Sequence, residues 1–298
     1  MPKTIIYTSD IHGNEVQYEK LVNYAIKISA DFVIIGGDIA PKNFTKNDFI
    51  KGQRSFLKNK LPKLLFTLKK RLPNIKIFLM MGNDDCMANM DIIEQGAGDL
   101  YFLIHNKRLK LTDKFDIIGY SNVPITPFGI KDWEKYDFSN TPANLETEYL
   151  ERKKSNYRLK AKKSVINGWR EFVFTSEIEK KDSIQKDLTQ KLFLGNSDKT
   201  IYALHSPPNN TNLDMILPHT KSIGAHVGSM ALRLFIEKHQ PYLTLHGHIH
   251  ETVEMSGEFK DKIGNTLCLT SGNHNVGEKL AVLIFQLDKT HEAKRVII

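Results

Sequence analysis

The chain has 298 residues, of which 41% are hydrophobic and 26% are charged, and this is the composition of a folded globular protein. No apolar run approaches the roughly 20 residues that a membrane-spanning helix requires, and the first residues predict no secretory signal. The two cysteines, Cys86 and Cys268, exclude a disulfide framework and a structural zinc site built from thiolates. Together these features predict a cytoplasmic protein that does not associate with a membrane.

The formal net charge is +8, which suits acidic partners such as phosphates or nucleic acid. Lysine and arginine are nevertheless mixed with aspartate and glutamate along most of the chain. Binding of nucleic acid is therefore not favoured on charge alone.

The first third of the sequence alternates between short apolar runs and segments with helical spacing. Residues 3–8, 32–36 and 75–81 are apolar runs that favour buried strands. Helical periodicity covers residues 15–29 and 46–72, the latter interrupted by a proline. This alternation predicts βαβ units and a parallel sheet that helices cover on both faces. Ligands of such sheets bind beyond the carboxyl ends of the strands.

Residues 100–119 are typical of shorter, hairpin-like strands, and the chain then changes in character. Residues 131–195 are polar, charged and mostly helical in pattern, so we interpret them as an inserted helical cap within a single domain of residues 1–298. The basic stretch at 151–163 is better explained as a solvated helix face than as an anion-binding surface. The α/β pattern then resumes, with a helix over about 227–239 and strands near 200–204, 242–246, 263–270 and 280–287.

Side chains that can bind metals follow five of the predicted strands. Each of these strands runs into aspartate, histidine or asparagine, most of them beside glycine or proline. Taken singly, such residues are also typical of turns and helix caps. A helix-covered sheet brings strand ends to one edge, however, and carboxylates together with imidazoles suit divalent ions such as Mn, Fe or Zn. The residues are Asp10, His12, Asp38, Asn83, His205, His248 and His250.

These residues stand in motifs that resemble those of the calcineurin-like metallophosphoesterases. The family motifs read Asp-x-His, Gly-Asp, Gly-Asn-His-Asp or Glu, a single His, and Gly-His-x-His. The resemblance implies an α/β fold, a four-layer αββα sandwich of two mixed sheets flanked by helices, with the site at one sheet edge. It covers residues 4–86 and 200–275 through Asp10-Ile11-His12, Gly37-Asp38, Gly82-Asn83, His205 and Gly247-His248-Ile249-His250.

The resemblance also divides the metal ligands into two sets that share one residue. By this division Asp10, His12 and His250 hold one ion, Asn83, His205 and His248 hold the second, and Asp38 bridges both. Two ions about 3.5–4 Å apart can clamp a phosphate and activate a bridging water as hydroxide. The metals expected are Mn, Fe, Zn or Ni, because affinity alone does not select among divalent ions.

One position departs from the family motif. Where many members have histidine after the motif asparagine, this sequence has Asp84, which joins Asp38 and Asn83 in the expected catalytic set. An aspartate assists a leaving group as a general acid only if its pKa is raised, and an ionised aspartate repels phosphate. The departure counts against efficient diester cleavage and nuclease activity. Asp85 matches the acidic residue that follows in the family and is expected to orient a ligand.

The candidates for substrate binding are Asn14, Asp84 and His226. For Asn14, capping of the following helix is an equally good interpretation, because asparagine is a preferred N-cap. His226 lies in a segment that opens a helix, whose first N–H groups can bind an anion.

Three functions can be compared at this stage. The preferred one is a metal-dependent phosphoesterase that hydrolyses a small phosphate mono- or diester. A nuclease or other nucleic-acid-processing enzyme on the same fold is the alternative that the positive charge supports. A binding or scaffold module without turnover ranks last, because all the expected ligand positions are filled. Residues 131–195 form the expected specificity region, and their aromatic side chains either line a pocket or pack the cap onto the core.

Overall fold

The computed structural model describes residues 2–43, 45, 48–217, 226–274 and 277–298. None of the helices in these residues combines the length and the apolar character of a membrane span. The helices are, in chain order, α1 (Glu15–Lys27), α2 (Phe49–Asn59), α3 (Leu61–Arg71), α4 (Met90–Gly96), α5 (Glu146–Asn156), α6 (Ser176–Lys181), α7 (Ile184–Leu188), α8 (Met230–His239) and α9 (Thr252–Ser256). The strands are β1 (Thr4–Thr8), β2 (Phe32–Gly36), β3 (Lys76–Met80), β4 (Phe102–Leu103), β5 (Arg108–Lys110), β6 (Asp116–Tyr120), β7 (Val123–Pro124), β8 (Glu134–Lys135), β9 (Lys160–Val165), β10 (Gly168–Val173), β11 (Thr200–Leu204), β12 (Leu243–His246), β13 (Lys260–Ile263), β14 (Thr266–Thr270), β15 (Ala281–Gln286) and β16 (Lys294–Ile297).

Two six-stranded mixed sheets form the frame of the molecule. The first has the spatial order β16-β15-β1-β2-β3-β4, and the second has the order β13-β14-β12-β11-β6-β5. In the first sheet β1 to β4 run parallel, and β15 and β16 add antiparallel pairings on one side. In the second sheet the four central strands are parallel, whereas β13 and β5 pair antiparallel at the edges. The predicted parallel pairing is confirmed, within sheets that are mixed.

Alternate residues of the strands face different layers of the interior. In β1, Ile5 and Tyr7 pack between the two sheets with residues such as Leu245, whereas Ile6 packs with the layer of α1 and α3. On the outer face of the second sheet, Tyr202 packs against α8. Strands that are buried on both faces need apolar residues at successive positions, and this explains the unbroken apolar runs of β1 to β3. The order of layers is helix, sheet, sheet, helix, so the predicted four-layer sandwich is confirmed.

The helix boundaries follow local signals in the sequence. The predicted helix over 46–72 is divided into α2 and α3, and Pro62 lies in the first turn of α3, where its missing N–H breaks no helical bond. Residues 46 and 47 lie outside the described residues. The helix predicted from 227 begins at Met230, because Ser229 caps α8 by accepting the N–H of Leu232.

The segment 131–195 differs from the predicted helical cap. It contains α5, α6 and α7, but residues 160–173 form the β-hairpin of β9 and β10. The prediction of a mostly helical insertion is therefore wrong over this hairpin. The basic stretch 151–163 is divided between α5 and β9, so it does not form one helix face.

Local chemistry explains the turn of the hairpin. The turn consists of Ile166 and Asn167, and Gly168 at the start of β10 has a φ angle of 143°, which glycine adopts readily. The buried residues of β9, Ala161 and Ser164, are three positions apart, and this spacing also fits one face of a helix. Burial along β9 therefore does not by itself indicate a strand.

Candidate metal centre

Strand ends from both sheets meet at one edge of the sandwich, and this edge collects the predicted metal ligands. Neighbouring parallel strands leave their sheet on the same side, which holds for β1, β2 and β3 and for β11 and β12. From the first sheet come Asp10 and His12 after β1, Asp38 after β2 and Asn83 after β3. From the second sheet come His205 after β11, and His248 and His250 after β12.

Several of these residues hold a left-handed backbone conformation that residues other than glycine rarely adopt. The φ angle is 58° at Asp10, 47° at His12, 51° at Asp38 and 67° at His248. Such a conformation costs about 1–3 kcal/mol per residue, and it is concentrated at functional sites. Backbone hydrogen bonds hold the turns, because Asp10 N–H donates to the Gly37 carbonyl and His12 N–H donates to the Asp38 carbonyl.

Asp10, His12, Asp38 and His250 form one compact cluster. One possible ligand atom from each side chain lies within 4.8 Å of all the others. His250 Nε2 is 3.4 Å from Asp10 Oδ1, and His12 Nε2 is 3.8 Å from Asp38 Oδ2. The Nε2 atoms of the two histidines are 3.2 Å apart, so both rings point into the same small volume. Two carboxylates and two imidazoles around one point suit a divalent transition-metal ion.

Asn83, His205 and His248 form a second group beside the first. Asn83 Oδ1 lies 3.1 Å from His205 Nε2 and 2.6 Å from His248 Nδ1. Asp38 lies between the groups, because its Oδ2 atom is 3.5 Å from His205 Nε2 and also faces His12. The structure therefore brings all the predicted ligands together, with Asp38 between the two sets.

The ring of His205 is fixed by the backbone of the first sheet. His205 is fully buried, and its Nδ1 atom lies 2.8 Å from the carbonyl oxygen of Gly36, to which it donates a hydrogen bond. This bond turns Nε2 toward Asn83 and Asp38. Histidines that bind metals are commonly oriented in this way through their second ring nitrogen.

Asp85 ties together the loops that carry the ligands of the first sheet. Its carboxylate accepts backbone N–H groups from Ile39 and Ala40 after β2, and from Gly82 after β3, at 2.8–3.0 Å. Asp85 is fully buried. Its contacts agree with the orienting role that the sequence motif predicts.

The charges in the cluster fit a cationic cofactor. Burial tends to raise the pKa of Asp38, but the adjacent His205 outweighs this effect and holds the pKa of the carboxyl well below its usual range. His250 likewise outweighs the effect of burial on the pKa of Asp10. Burial lowers the pKa of His205 and the charge of Asp38 raises it, with a net value of about 9. Buried carboxylates need compensating positive charge, and divalent ions are well suited to supply it here.

Asp84 lies at the rim of the cluster and faces a lysine that sequence reasoning alone did not single out. Asp84 Oδ2 is 3.6 Å from Lys42 Nζ, which is in turn 3.1 Å from His12 Nε2. Burial, and then the charge of Asp38, raises the pKa of Asp84 to about 6. The available signal for Lys42 was its position in the loop that begins at Asp38.

Two predicted substrate contacts already have partners within the protein. Asn14 caps α1 by accepting the N–H of Gln17, and its amide donates to the carbonyl of Gly277. His226 Nδ1 is 2.7 Å from Asp214 Oδ1, and its side chain is 34% exposed. Neither Asn14 nor His226 is among the described residues that line the cavity of the site. Their contact with a substrate stays a prediction.

A cavity of about 410 Å³ opens beside the metal ligands, a size that suits a small organic ligand. Asp38, Asn83, His248 and His250 line it together with Lys42 and Asp84. Much of the remaining wall is apolar and consists of Pro124, Ile125, Pro127, Phe128, Ile216, Val227 and Ile249. Arg152 of α5 and Glu251 are the further charged residues in the described lining.

Two solved structures are similar to this chain at low sequence identity. The protein TT1561 of Thermus thermophilus is 13% identical, with a TM-score of 0.50, and the alignment covers 99% of each chain. A dimetal phosphatase from Danio rerio is 11% identical, with a TM-score of 0.48, over 100% of this chain and 99% of that chain. At these identities, structural similarity shows the fold alone.

The sequence itself decides the family. No curated protein matches the chain at a significant level. The family model described as calcineurin-like phosphoesterase matches residues 3–252, a range that contains both ligand groups and all the strands that carry them. With the two-sheet sandwich and its edge of aspartate, asparagine and histidine, this match places the chain in the calcineurin-like phosphoesterase family.

Proposed function

We propose that this protein is a metal-dependent hydrolase that cleaves a small phosphate mono- or diester at a dinuclear metal centre. The observation that carries the proposal is the convergence of metal-binding side chains from both sheets around the shared Asp38. Membership of a phosphoesterase family supports the class of reaction.

Each ion has its own set of ligands in this proposal. Two divalent ions, when bound, supply positive charge to the phosphate oxygens and lower the pKa of a coordinated water. Mn, Fe, Zn and Ni all suit a site of carboxylate, amide and imidazole ligands. Asp10, His12 and His250 hold the first ion, Asn83, His205 and His248 hold the second, and Asp38 bridges them.

Lys42 and Asp84 act as a pair at the entrance to this centre. We assign Lys42 to a phosphate oxygen, because its ammonium group lies beside His12 and lines the cavity. Asp84 holds that ammonium group through its carboxylate. An ionised aspartate alone would repel phosphate, but the Lys42–Asp84 pair carries no net charge. In this assignment Asp84 positions Lys42 and does not protonate the leaving group.

Asn83 completes the catalytic set of the proposal, and a hydrogen bond orients its side chain. Asn83 would present its amide oxygen to the second ion, and its amide nitrogen lies 3.1 Å from Asp84 Oδ1, to which it donates a hydrogen bond.

The apolar wall of the cavity limits access of water to the ester, which strengthens the attraction between charges inside the cavity. The same wall favours a compact organic group on the phosphate over a long polymer.

The test is hydrolysis of chromogenic phosphate mono- and diesters by metal-stripped protein to which Mn, Ni, Zn or Mg is restored. We expect activity that requires added metal and that falls at least about a hundredfold in Asp38→Ala, since the bridging ligand of both ions is lost. Asp113→Ala is the matched control, because Asp113 is an exposed loop residue remote in sequence from every ligand. Two bound ions without turnover of any ester would count against the proposal and favour a binding module.

A further inference from the structure

Arg152 lines the cavity and is buried without an acidic partner. Only 9% of it is exposed. Its terminal nitrogens donate to the backbone carbonyls of Val227 and Gly228, and its Nε atom has no hydrogen-bond partner among the described residues. The charge of Arg152 acts to lower the pKa of Asp137. The hydrogen bonds of the Asp137 carboxylate come, however, from Ser229 and the first N–H groups of α8. Within the part of the chain that the structure describes, no carboxylate forms an ion pair with Arg152.

This arrangement leaves the guanidinium without an ion pair among the described residues, and the buried Asp137 acts on it only through space. A guanidinium group does not lose its proton, so burial cannot be relieved by neutralisation. Carbonyl groups satisfy its donors but carry no net charge, and the planar guanidinium is suited to carboxylate and phosphate groups. An anion in the cavity would therefore supply the ion pair that Arg152 lacks.

The position of Arg152 indicates that this anion belongs to the ligand of the cavity. Arg152 lines the same cavity as Asp38, Asn83 and the ligand histidines, and much of the remaining wall is apolar. An ester whose phosphate lies at the ions therefore places its organic part in a cavity that also contains this guanidinium. Glu251 lines the cavity as well, so a negative group on the ligand is favoured beside Arg152 and disfavoured beside Glu251.

We propose that the cavity selects phosphate esters whose organic part carries a second anionic group, a carboxylate or a further phosphate, and that Arg152 binds this group. The proposal rests on the proposed function for the position of the first phosphate. In this proposal Arg152 determines specificity. It lies on α5, in the segment 131–195 that the sequence predicts to govern specificity.

The experiment compares esters that differ in one charge. The probes are the 3- and 4-carboxyphenyl phosphates, the matching carbamoylphenyl phosphates, which have a similar shape without the charge, and the phenylene bisphosphates. For the metal-loaded full chain, we expect kcat/KM of the better carboxylated isomer to exceed that of its carboxamide about ten- to hundredfold. The bisphosphates show whether a carboxylate or a second phosphate is preferred.

Three variants connect the preference to Arg152. In Arg152→Met, the ratio of kcat/KM for carboxylate over carboxamide should fall to near one, and in Arg152→Lys it should be partly restored. Lys154→Met is the matched control, because Lys154 is an exposed cation on the same helix that is not among the described lining residues, and it should keep the wild-type ratio. The ratio compares two esters on one protein sample, so partial unfolding of a variant does not change it.

Binding measurements distinguish a failure of this inference from a failure of the proposed function. The non-hydrolysable carboxyphenyl and carbamoylphenyl phosphonates are titrated into wild type and Arg152→Met by calorimetry. If no ester is turned over but the carboxylated phosphonate binds more tightly through Arg152, the proposed function is wrong and the anion site stands. Equal affinities for the two phosphonates, or a preference that persists in Arg152→Met, would overturn the inference whether or not the protein hydrolyses esters.

Discussion

At the scale of single residues, position 84 shows how a change in one motif residue is linked to another side chain. Many family members have histidine there, and this chain has Asp84. Lys42 comes from the loop after a different strand and places its ammonium group 3.6 Å from the Asp84 carboxylate. A hydrogen-bond donor therefore lies at the rim of the centre, on Lys42 and not on residue 84.

This arrangement predicts that Lys42 contributes to turnover. In Lys42→Met we expect kcat/KM for a phosphate monoester to fall about ten- to hundredfold, because a charge-assisted hydrogen bond contributes about 1.5–3 kcal/mol. Asp84→His should restore part of the activity of Lys42→Met, since a histidine returns a donor to the rim. Steady-state kinetics of the two single variants and the double variant measure this coupling.

The matched control for Lys42 is Lys51→Met, which removes an exposed cation from α2. If Lys42→Met and Lys51→Met have the same kinetics as wild type, the assignment of Lys42 to the phosphate is wrong.

The sequence predicted the residues that meet at the candidate centre, whereas it did not predict that Lys42 and Arg152 line the cavity. Asp10, Asp38 and Asn83 each follow an apolar strand directly, so their position depends only on strand order and local spacing. Lys42 and Arg152 reach the cavity through long flexible side chains and through the packing of non-local elements. Sequence periodicity does not predict such contacts, because they depend on how the loops and the cap pack against the sandwich.

At the scale of elements, the centre depends on how closely the loops after β2 and β3 approach each other. Gly82 lies between them. A Cβ atom at Gly82 would lie 2.4 Å from Asp38 Oδ1 and 2.6 Å from His205 Nε2, which is closer than atoms can approach. The absence of a side chain at this position therefore lets Asp38 and His205 lie as close together as they do.

Gly82→Ala should consequently displace ligands without disturbing the sandwich. We expect the metal content to fall below two ions per chain and activity to fall about a hundredfold or more, because a displacement of about 1 Å costs this much in rate. Elemental analysis and kinetics measure the two effects, and circular dichroism checks the fold. Gly129→Ala is the control, since the nearest atom to its Cβ would lie 3.7 Å away. Full metal content in Gly82→Ala would contradict this account.

The strands β1, β2 and β3 could be predicted because each is a short apolar run, but the hairpin of the cap could not. In β9 the lysines are exposed or half-buried, and the buried Ala161 and Ser164 have a spacing that also fits a helix. The Asn167-Gly168 dipeptide, which is typical of turns, was the local signal for a chain reversal. The parallel neighbours of the second sheet also depend on pairings between distant residues, such as Ile201 with Ile117, which no short window contains.

At the scale of the whole molecule, His105 couples stability to pH at the connection between the sheets. It follows β4 of the first sheet and bridges to Gly119 in β6 of the second. Its Nδ1 atom accepts the N–H of Ser121, and its ring contacts Trp133. Burial, followed by nearby lysine charges, lowers the pKa of His105 to about 4. Protonation at Nδ1 would also remove the acceptor for Ser121.

The sign of the pH effect follows from these facts. Between about pH 6.5, the ordinary value for histidine, and pH 4, the unfolded chain binds a proton at His105 that the folded chain does not. Stability from this residue is therefore complete above that window and is lost as the pH falls through it. In metal-free protein, His105→Phe should reduce the loss of unfolding free energy between pH 7 and pH 5 by about 2 kcal/mol.

Urea unfolding at the two pH values measures this difference, and the histidines of the candidate centre are the same in both proteins. His291→Phe is the control, because the side chain of His291 is 77% exposed. An identical pH dependence in wild type and His105→Phe would show that His105 is not held neutral.

The order of strands in the first sheet also determines the stage of synthesis at which this sheet can be completed. β1 pairs with β2 on one side and with β15 on the other, so residues 4–8 and 281–286 are hydrogen-bonded neighbours. A ribosome releases the first ligands, Asp10 and His12, long before His248 and His250. A nascent chain that stops before β12 has neither a completed first sheet nor a complete set of ligands for either ion. Under the proposed function, capture of both ions would therefore follow translation of at least the first 250 residues, because His248 and His250 belong to the two ligand sets.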